Sequence, residues 1–364
     1  MDAETHAALV FNALPHWGPI RLRRLMETHG CSISDCLKMK KSELIGIRDI
    51  GTKAIQSLLQ WDSIVDTDKE IRKIGQYGLR FVGKSDSEYP ERLRHLPDAP
   101  IGLYWKGDLG ASHADVAIIG SRRTTPYGRK IANEWARTLS SAGVTVISGM
   151  ARGIDAEAHR GALEERGSTI AVKGSGFDRI YPPEHLELFE QISVKGAVIS
   201  EFSFGTAASK TSFPMRNRIV SGIARVVLVV ETDVKGGSMI TAKFAAEQGK
   251  TVCAVPGRID STASAGCHQL IRDGAILVSK PDEILEELDW NSQPELFASL
   301  AAESKQATGP ESEILKELQG GEIISTDAMV DKTSLTFSAV SSSLMMLELQ
   351  GLVARRSDGA YELA

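Results

Sequence analysis

Residues 212–238 read SFPMRNRIVSGIARVVLVVETDVKGGS, and the fold is decided in this stretch. Pro214 suits the first position of a helix, where a missing N–H is no loss. Arg216, Asn217 and Arg218 follow at once, with no acid among them. Cations in a first turn oppose the helix macrodipole, so an outside anion is the expected partner for this end. The helix runs on through Ile219, Val220 and Ile223. The run VVLVV at 226–230 is apolar at every position, which predicts a strand buried on both faces of a parallel sheet. Lys235, Gly236, Gly237 and Ser238 then open a second helix. Glycines between a strand end and a helix start let backbone N–H groups approach a phosphate.

The same alternation extends outward. Upstream, VAIIG (116–120), VTVIS (144–148), TIAV (169–172) and AVIS (197–200) read as strands with helical segments between them. Downstream, TVCAV (251–255) and AILV (275–278) continue the pattern. Two earlier runs, LRFV (79–82) and LYW (103–105), also read as strands. Strands alternating with helices of this length predict an α/β fold with a doubly wound, mainly parallel sheet. Ligands belong at the carboxyl ends of such strands.

Four loops follow strand ends and carry Gly, Ser and cations. They hold Gly120, Ser121, Arg122 and Arg123; Ser148, Gly149 and Arg152; Lys210 with Arg216, Asn217 and Arg218; and Gly236, Gly237 and Ser238. One such loop alone is an ordinary tight turn. Four that converge on one edge, with basic side chains, predict an anion site.

The flanks differ from this core. Residues 1–65 show helical spacing of apolar positions, from Ala8, Leu9 and Phe11 onward, and are expected to form a small helical domain. Within it, GIRDIG (46–51) before TKAIQSLLQW resembles a helix-hairpin-helix turn, although an ordinary helix connection has the same composition. Residues 66–290 are expected to form the main domain and 291–310 a linker. Residues 311–364 read as three helices and a hairpin turning near Asp358 and Gly359, the pattern of a winged helix. Its third helix carries no cation, so protein docking or a vestigial role is as well supported as groove reading.

With 364 residues, 42% of them hydrophobic, the chain can build a large core. The net charge of -5 means that a polyanion must be held by a local patch, against a mildly repulsive overall field. Cys31, Cys36, Cys253 and Cys267 form no C-x-x-C pair, and reduced thiols are expected. The N-terminus lacks a basic segment followed by an apolar core, so no signal peptide is expected. No window approaches ~20 uninterrupted apolar residues. Membrane insertion is therefore not expected, and the cytoplasm is.

The familiar nucleotide motifs are absent. The first loop reads GSRRTTPYG, not G-x-G-x-x-G, and no G-x-x-x-x-G-K-[ST] occurs. No cofactor and no metal site are expected. His159 and His185 have no obvious nucleophile partner. Asp155 is expected to cap a helix. Glu201 and Glu231, at strand ends, are the best acid candidates, although such acids also bind loop amides.

Taken in order, GSRRTTPYG, SGMARGID, GSGFDRIYPPEH, FPMRNRIVSG and KGGSMITAKFA resemble the bacterial DNA-processing protein A (DprA) family over about residues 75–280. The resemblance implies an extended Rossmann-like fold, single-stranded DNA binding, a homodimer, and loading of the RecA recombinase during natural transformation. Its DNA pocket would fall on Ser121, Arg122, Lys210, Arg216, Asn217 and Arg218, completed by Gly236, Gly237 and Ser238. The stretch GTAASK (205–210) departs from the proline-rich form expected before FPMRNR. A cationic groove with backbone amides holds phosphates without reading sequence. Phe202, Phe204 and Phe213 lie in or beside the third loop as candidates for base stacking.

An enzyme on a related fold is the alternative: a nucleotide phosphoribohydrolase resembling the lysine-decarboxylase-like family, whose helix start usually reads PGGxGTxxE. Here Lys235 replaces the proline and Lys243 the glutamate. Loss of that carboxylate favours binding, and no catalytic residue is expected.

Overall fold

The apolar run at 226–230 becomes strand β7 (Val226–Val229), buried at every position. It sits inside a nine-stranded sheet of order β1-β2-β6-β5-β4-β3-β7-β8-β9. The others are β1 (Arg80–Gly83), β2 (Gly102–Gly107), β3 (Asp115–Ile119), β4 (Thr145–Ser148), β5 (Thr169–Val172), β6 (Ala197–Ser200), β8 (Thr251–Ala254) and β9 (Ile276–Leu277). This computed structural model describes residues 1–108, 115–164, 167–288, 310–318, 323–333, 335–349, 353–356 and 360–363.

Seven strands run parallel, from β6 through β9 in sheet order, and β1 and β2 extend one edge antiparallel. Antiparallel strands at the edge of a parallel sheet are a common way to extend it. Strands β3 to β6 (apart from its edge hairpin) and β7 to β9 wind outward in opposite directions from the β3–β7 pair. That pair is the topological switch point, where the crevice beyond the strand ends is the expected ligand site.

The sheet is built from residues whose side chains fill both faces. β3, β4, β5, β6 and β7 are buried throughout. Helices α9 (Pro126–Ser141), α10 (Ile154–Glu164), α11 (Leu186–Lys195), α12 (Ser212–Ile223), α13 (Gly237–Glu247) and α14 (Thr262–Arg272) supply the crossovers. α9 shows how local sequence sets a boundary: Thr125 caps it by accepting from Gly128 N, and Pro126 occupies its first turn.

Residues 1–65 are helical as expected, but they are not a separate body. α1 (Ala3–Ala13), α2 (Pro19–His29) and α5 (Thr52–Leu59) share one hydrophobic cluster with Phe81, Tyr104, Ala171 and Val198 of the sheet. Asn12 also donates to the Glu201 carbonyl at 2.8 Å. The chain divides into Met1–Trp290 and Asn291–Ala364 instead, and Ala7, Ala8, Leu9, Val10 and Phe11 of α1 are buried within that shared cluster. The 46–51 turn closes with Ile50 N donating to Ile47 O at 3.2 Å, and Arg21 donates to Asp49 O at 2.8 Å. Trp17 is a packing residue, edge-on to Phe11 with its indole N–H on Ala54 O.

In the second unit, Pro310–Glu317, Thr326–Thr333 and Phe337–Leu349 are helices, and Val353–Arg355 pairs antiparallel with Tyr361–Leu363. Ile314, Leu318, Met329, Val340, Leu344 and Val353 form its core. The expected linker and the Asp358–Gly359 turn lie outside the described residues. All four cysteines are free thiols. Among the described residues no helix is long and apolar enough to cross a membrane.

Candidate nucleic-acid interface

A cavity of about 490 Å³ opens beyond the carboxyl ends of β3, β4 and β7. Eleven of the fourteen residues expected at the site line it: Gly120, Ser121, Arg122, Arg123, Gly149, Lys210, Arg216, Asn217, Gly236, Gly237 and Ser238. Ser148, Arg152 and Arg218 do not. Ser148 is buried, with its hydroxyl on Ile118 O at 2.7 Å. Arg152 is turned aside onto Glu184, Nε to Oε1 at 2.5 Å.

The helix at 212 begins earlier than expected. α12 starts at Ser212, so Pro214 is its third residue. The hydroxyls of Ser209 and Ser212 each accept from the other residue's N–H, at 3.0 and 2.9 Å. This exchange fixes the chain just before the helix and moves its start upstream. Pro214 still falls among the first N–H positions that lack an intrahelical partner. The two expected first-turn cations, Arg216 and Arg218, are therefore second-turn residues, and both are buried.

Arg216 is buried, its guanidinium donating to Val172 O at 2.6 Å and to Gly149 O. It plugs the ends of β4 and β5. Gly149 is needed here, because a Cβ on it would lie 1.9 Å from the Arg216 guanidinium. Burial pushes the Arg216 pKa down to about 10, with Arg122 adding to the effect and Asp155 opposing it. Arg218 is also buried and is held by Glu201 and Asp98. The expectation that Arg218 faces an external anion is thus corrected: it has two internal carboxylates.

The candidate acids are engaged as well. Glu231 accepts from Thr124 Oγ1 at 2.9 Å and from Thr125 N at 3.0 Å, and also from Thr125 Oγ1, which clamps the loop after β3. Asp155 accepts from Gly149 N at 3.2 Å and Ala151 N at 3.4 Å, so it shapes the loop after β4 rather than capping its own helix. Burial raises the Asp155 pKa despite the opposing pull of Arg216. His159 and His185 are buried, on Thr169 Oγ1 and Met150 O. No His or Cys lines the cavity.

What remains free is cationic. Arg122, Arg123 and Lys210 are exposed, and none has an ion pair among the described residues. With Arg216 they set four cations against Asp155 and Asp233. The Arg122 guanidinium lies 4.5 Å from the Phe213 ring centroid, and Phe213 also packs on Tyr181. Of the three candidate stacking residues, only Phe213 lines the cavity. Phe204 packs against Tyr77 and Tyr104 instead. The amino ends of α12 and α13 face the same space through Phe213, Pro214, Gly237 and Ser238, and neither helix has an acid in its first turn. This arrangement can hold phosphate oxygens on cations and amides, beside one aromatic surface.

The loop that carries Lys210 is fastened from a distance. Helix α7 (Thr67–Gln76) presents Glu70 Oε1, which accepts from Tyr104 OH at 2.5 Å and Phe204 N at 3.1 Å. Asp178 accepts from Gly205 N at 2.8 Å and pairs with Lys73 at 3.3 Å. Neither was legible as part of the site, because both lie far from it in sequence.

Comparison with known proteins shows the family. The family profile described as DNA recombination-mediator protein A matches residues 80–289, and that of the DprA winged helix domain matches 298–359. The Protein Smf of Escherichia coli is 38% identical over 286 residues, covering 77% of this chain and 76% of its own. The DNA processing protein DprA of Streptococcus pneumoniae is 38% identical over 223 residues, 61% of this chain and 77% of its own. The crystal structure of that S. pneumoniae protein aligns with a TM-score of 0.65 at 30% identity, covering 79% of this chain and 98% of the other. A structure of DNA processing protein A from Helicobacter pylori, described for its single-stranded DNA binding mode, aligns with a TM-score of 0.53 at 31% identity, covering 56% of this chain and 94% of the other. The chain, with its Rossmann-like sheet and C-terminal winged helix, belongs to the DNA-processing protein A family.

Proposed function

We propose that this chain is a non-enzymatic single-stranded DNA-binding protein that protects incoming strands and loads RecA recombinase onto them in natural transformation and recombination. One observation carries the reading: Arg122, Arg123 and Lys210, which have no ion pair among the described residues, stand around a cavity at the switch point, with two acid-free helix starts beside them. Phosphates bind to the free cations and the amides, and a base stacks on Phe213. The relative from H. pylori, described as binding single-stranded DNA, supports the same substrate class.

The chain works in the cytoplasm as a homodimer. Strand β9 ends the sheet, with no strand on its outer edge among the described residues and with Ile276 and Leu277 exposed. A bare apolar edge favours covering by a second copy. Leu277→Lys would turn a dimer into a monomer in light scattering. The winged helix contacts protein rather than duplex, since its third helix has no cation and exposes Phe337, Met345 and Met346.

Fluorescence anisotropy with a labelled oligonucleotide tests the central claim. Binding should prefer single strands to duplex and weaken steeply with salt, because counterions leave the backbone on binding. Salt-insensitive binding, or none, refutes it. RecA loading is read separately, as faster RecA filament growth on strands already coated by a single-strand-binding protein. Release of free base from nucleoside monophosphates by the pure protein would favour the phosphoribohydrolase reading instead.

A further inference from the structure

A second cavity, of about 370 Å³, lies between α1 and α2 on one side and the segments after β1 and α8 (Glu91–Arg94) on the other. It shares no residue with the strand-end cavity. Its floor is apolar, since Ala8, Leu22, Ile33, Ala99 and Ile101 are all buried. Three cations line it: Arg23, Lys84 and Arg94. Arg94 is fully engaged, donating to the carbonyls of Lys84, Asp86 and Tyr89 and pairing with Glu91. Arg23 pairs with Glu27 at 3.6 Å.

Lys84 differs from both. Its ammonium has no hydrogen bond or ion pair among the described residues, although the side chain is partly buried. Burial, then the charges of Arg23 and Arg94, pull its pKa below the usual lysine value, with Glu27 opposing them. Glu27 acts on it as an opposing charge but forms no ion pair with it, so the ammonium can accept an anionic partner. Beside it is an apolar space within the size range of small-molecule pockets. The two features call for one occupant with an apolar body and an anionic head. Glu4 and Glu27 also line the cavity, so a multiply charged anion is repelled more than a monoanion, and Lys84 is the lining cation with no ion pair among the described residues.

We infer that this cavity binds a small amphipathic carboxylate, with its head on Lys84 and its body over Leu22, Ile33 and Ile101. This site does not depend on the DNA reading. The test is calorimetric titration of the full-length chain with decanoate, decanol and decyltrimethylammonium, each below its aggregation concentration. Decanoate is expected to bind one site per chain, about tenfold more tightly than the other two. Lys84→Gln should bring decanoate down to the level of decanol without changing the melting temperature. Ala99→Met should fill the floor and remove binding of both. If Ala99→Met does not fold, Lys84→Gln decides alone. Equal binding of decanoate and decanol would mean that Lys84 simply extends into water, and would overturn the inference. So would an unaltered affinity in Lys84→Gln, or no binding heat at all.

Discussion

Two sets of cations stand within a short reach of each other and do opposite work. Arg122 and Lys210 are exposed at the cavity mouth, with no ion pair among the described residues. Arg216 and Arg218, on the adjoining helix, are buried and bonded to carbonyls and carboxylates. The outer pair is available to a ligand, whereas the inner pair holds the strand ends and the helix in place. The difference teaches that a basic motif at a helix start is not one functional unit. Both cations on the helix are buried, and the exposed ones come from the loops beside it.

The sharpest way to break this contrast is Arg218→Met, which leaves Glu201 buried without its partner. Removing one member of a buried ion pair costs about 3–5 kcal/mol, and urea unfolding should show a loss of that size. The double variant Arg218→Met, Glu201→Gln should recover much of it. A stable Arg218→Met protein that no longer binds DNA would place Arg218 with the outer pair.

The buried side can also be read by pH. Burial, reinforced by the nearby charge of Arg216, pushes the His159 pKa down to about 3. The unfolded chain therefore takes up a proton that the folded chain refuses, between about pH 6.5 and pH 3. Stability is fully present above pH 6.5 and is lost as pH falls through this window, by about 2 kcal/mol at pH 5. His159→Asn should flatten that slope. An unchanged slope would show that another group carries the acid sensitivity.

On the outer side, Arg122→Ala should weaken single-stranded DNA binding by about tenfold, or about 1.4 kcal/mol. Its stability should stay within about 0.5 kcal/mol of the parent. Anisotropy and thermal melting on one preparation separate the two readouts. The smallest effect is expected for Lys210→Ala, which removes one phosphate contact. The slope of log affinity against log salt should become shallower by about 0.7, with no preference among sequences. A variant that loses affinity for only one sequence would argue for base reading at this position.

Much of the fold was legible because it depends on local pattern. Strand runs at 116–120, 144–148, 169–172, 197–200, 226–230 and 251–255 were visible as apolar blocks, and each became a strand. Their arrangement followed from the alternation with helices, and the site followed from where such sheets bind ligands. The antiparallel edge of β1 and β2 was not legible, since the runs at 79–82 and 103–105 say nothing about direction. The shared core of residues 1–65 was also hidden. An amphipathic helix reads the same whether it packs on its neighbours or on a sheet.

Gly120, Arg122, Lys210 and Gly236, which line the candidate cavity, stand out by composition at strand ends. The true states of Arg216 and Arg218 do not. Nothing in FPMRNR distinguishes a guanidinium that meets water from one that meets Glu201 or the Val172 carbonyl. The roles of Glu70 and Asp178 were equally hidden, since each holds a loop more than 25 residues away in the chain.

The sequence by itself determined the alternating strands and helices, the glycines and cations at their junctions, and hence the edge of the sheet where an anion can bind. Those features follow from side-chain periodicity and backbone chemistry, which act over a few residues. Only the tertiary structure decided which cations stay free, because a charge is neutralised by whatever folds beside it. Asp98 and Glu201 reach Arg218 from two other segments of the chain, and no local pattern reports that encounter.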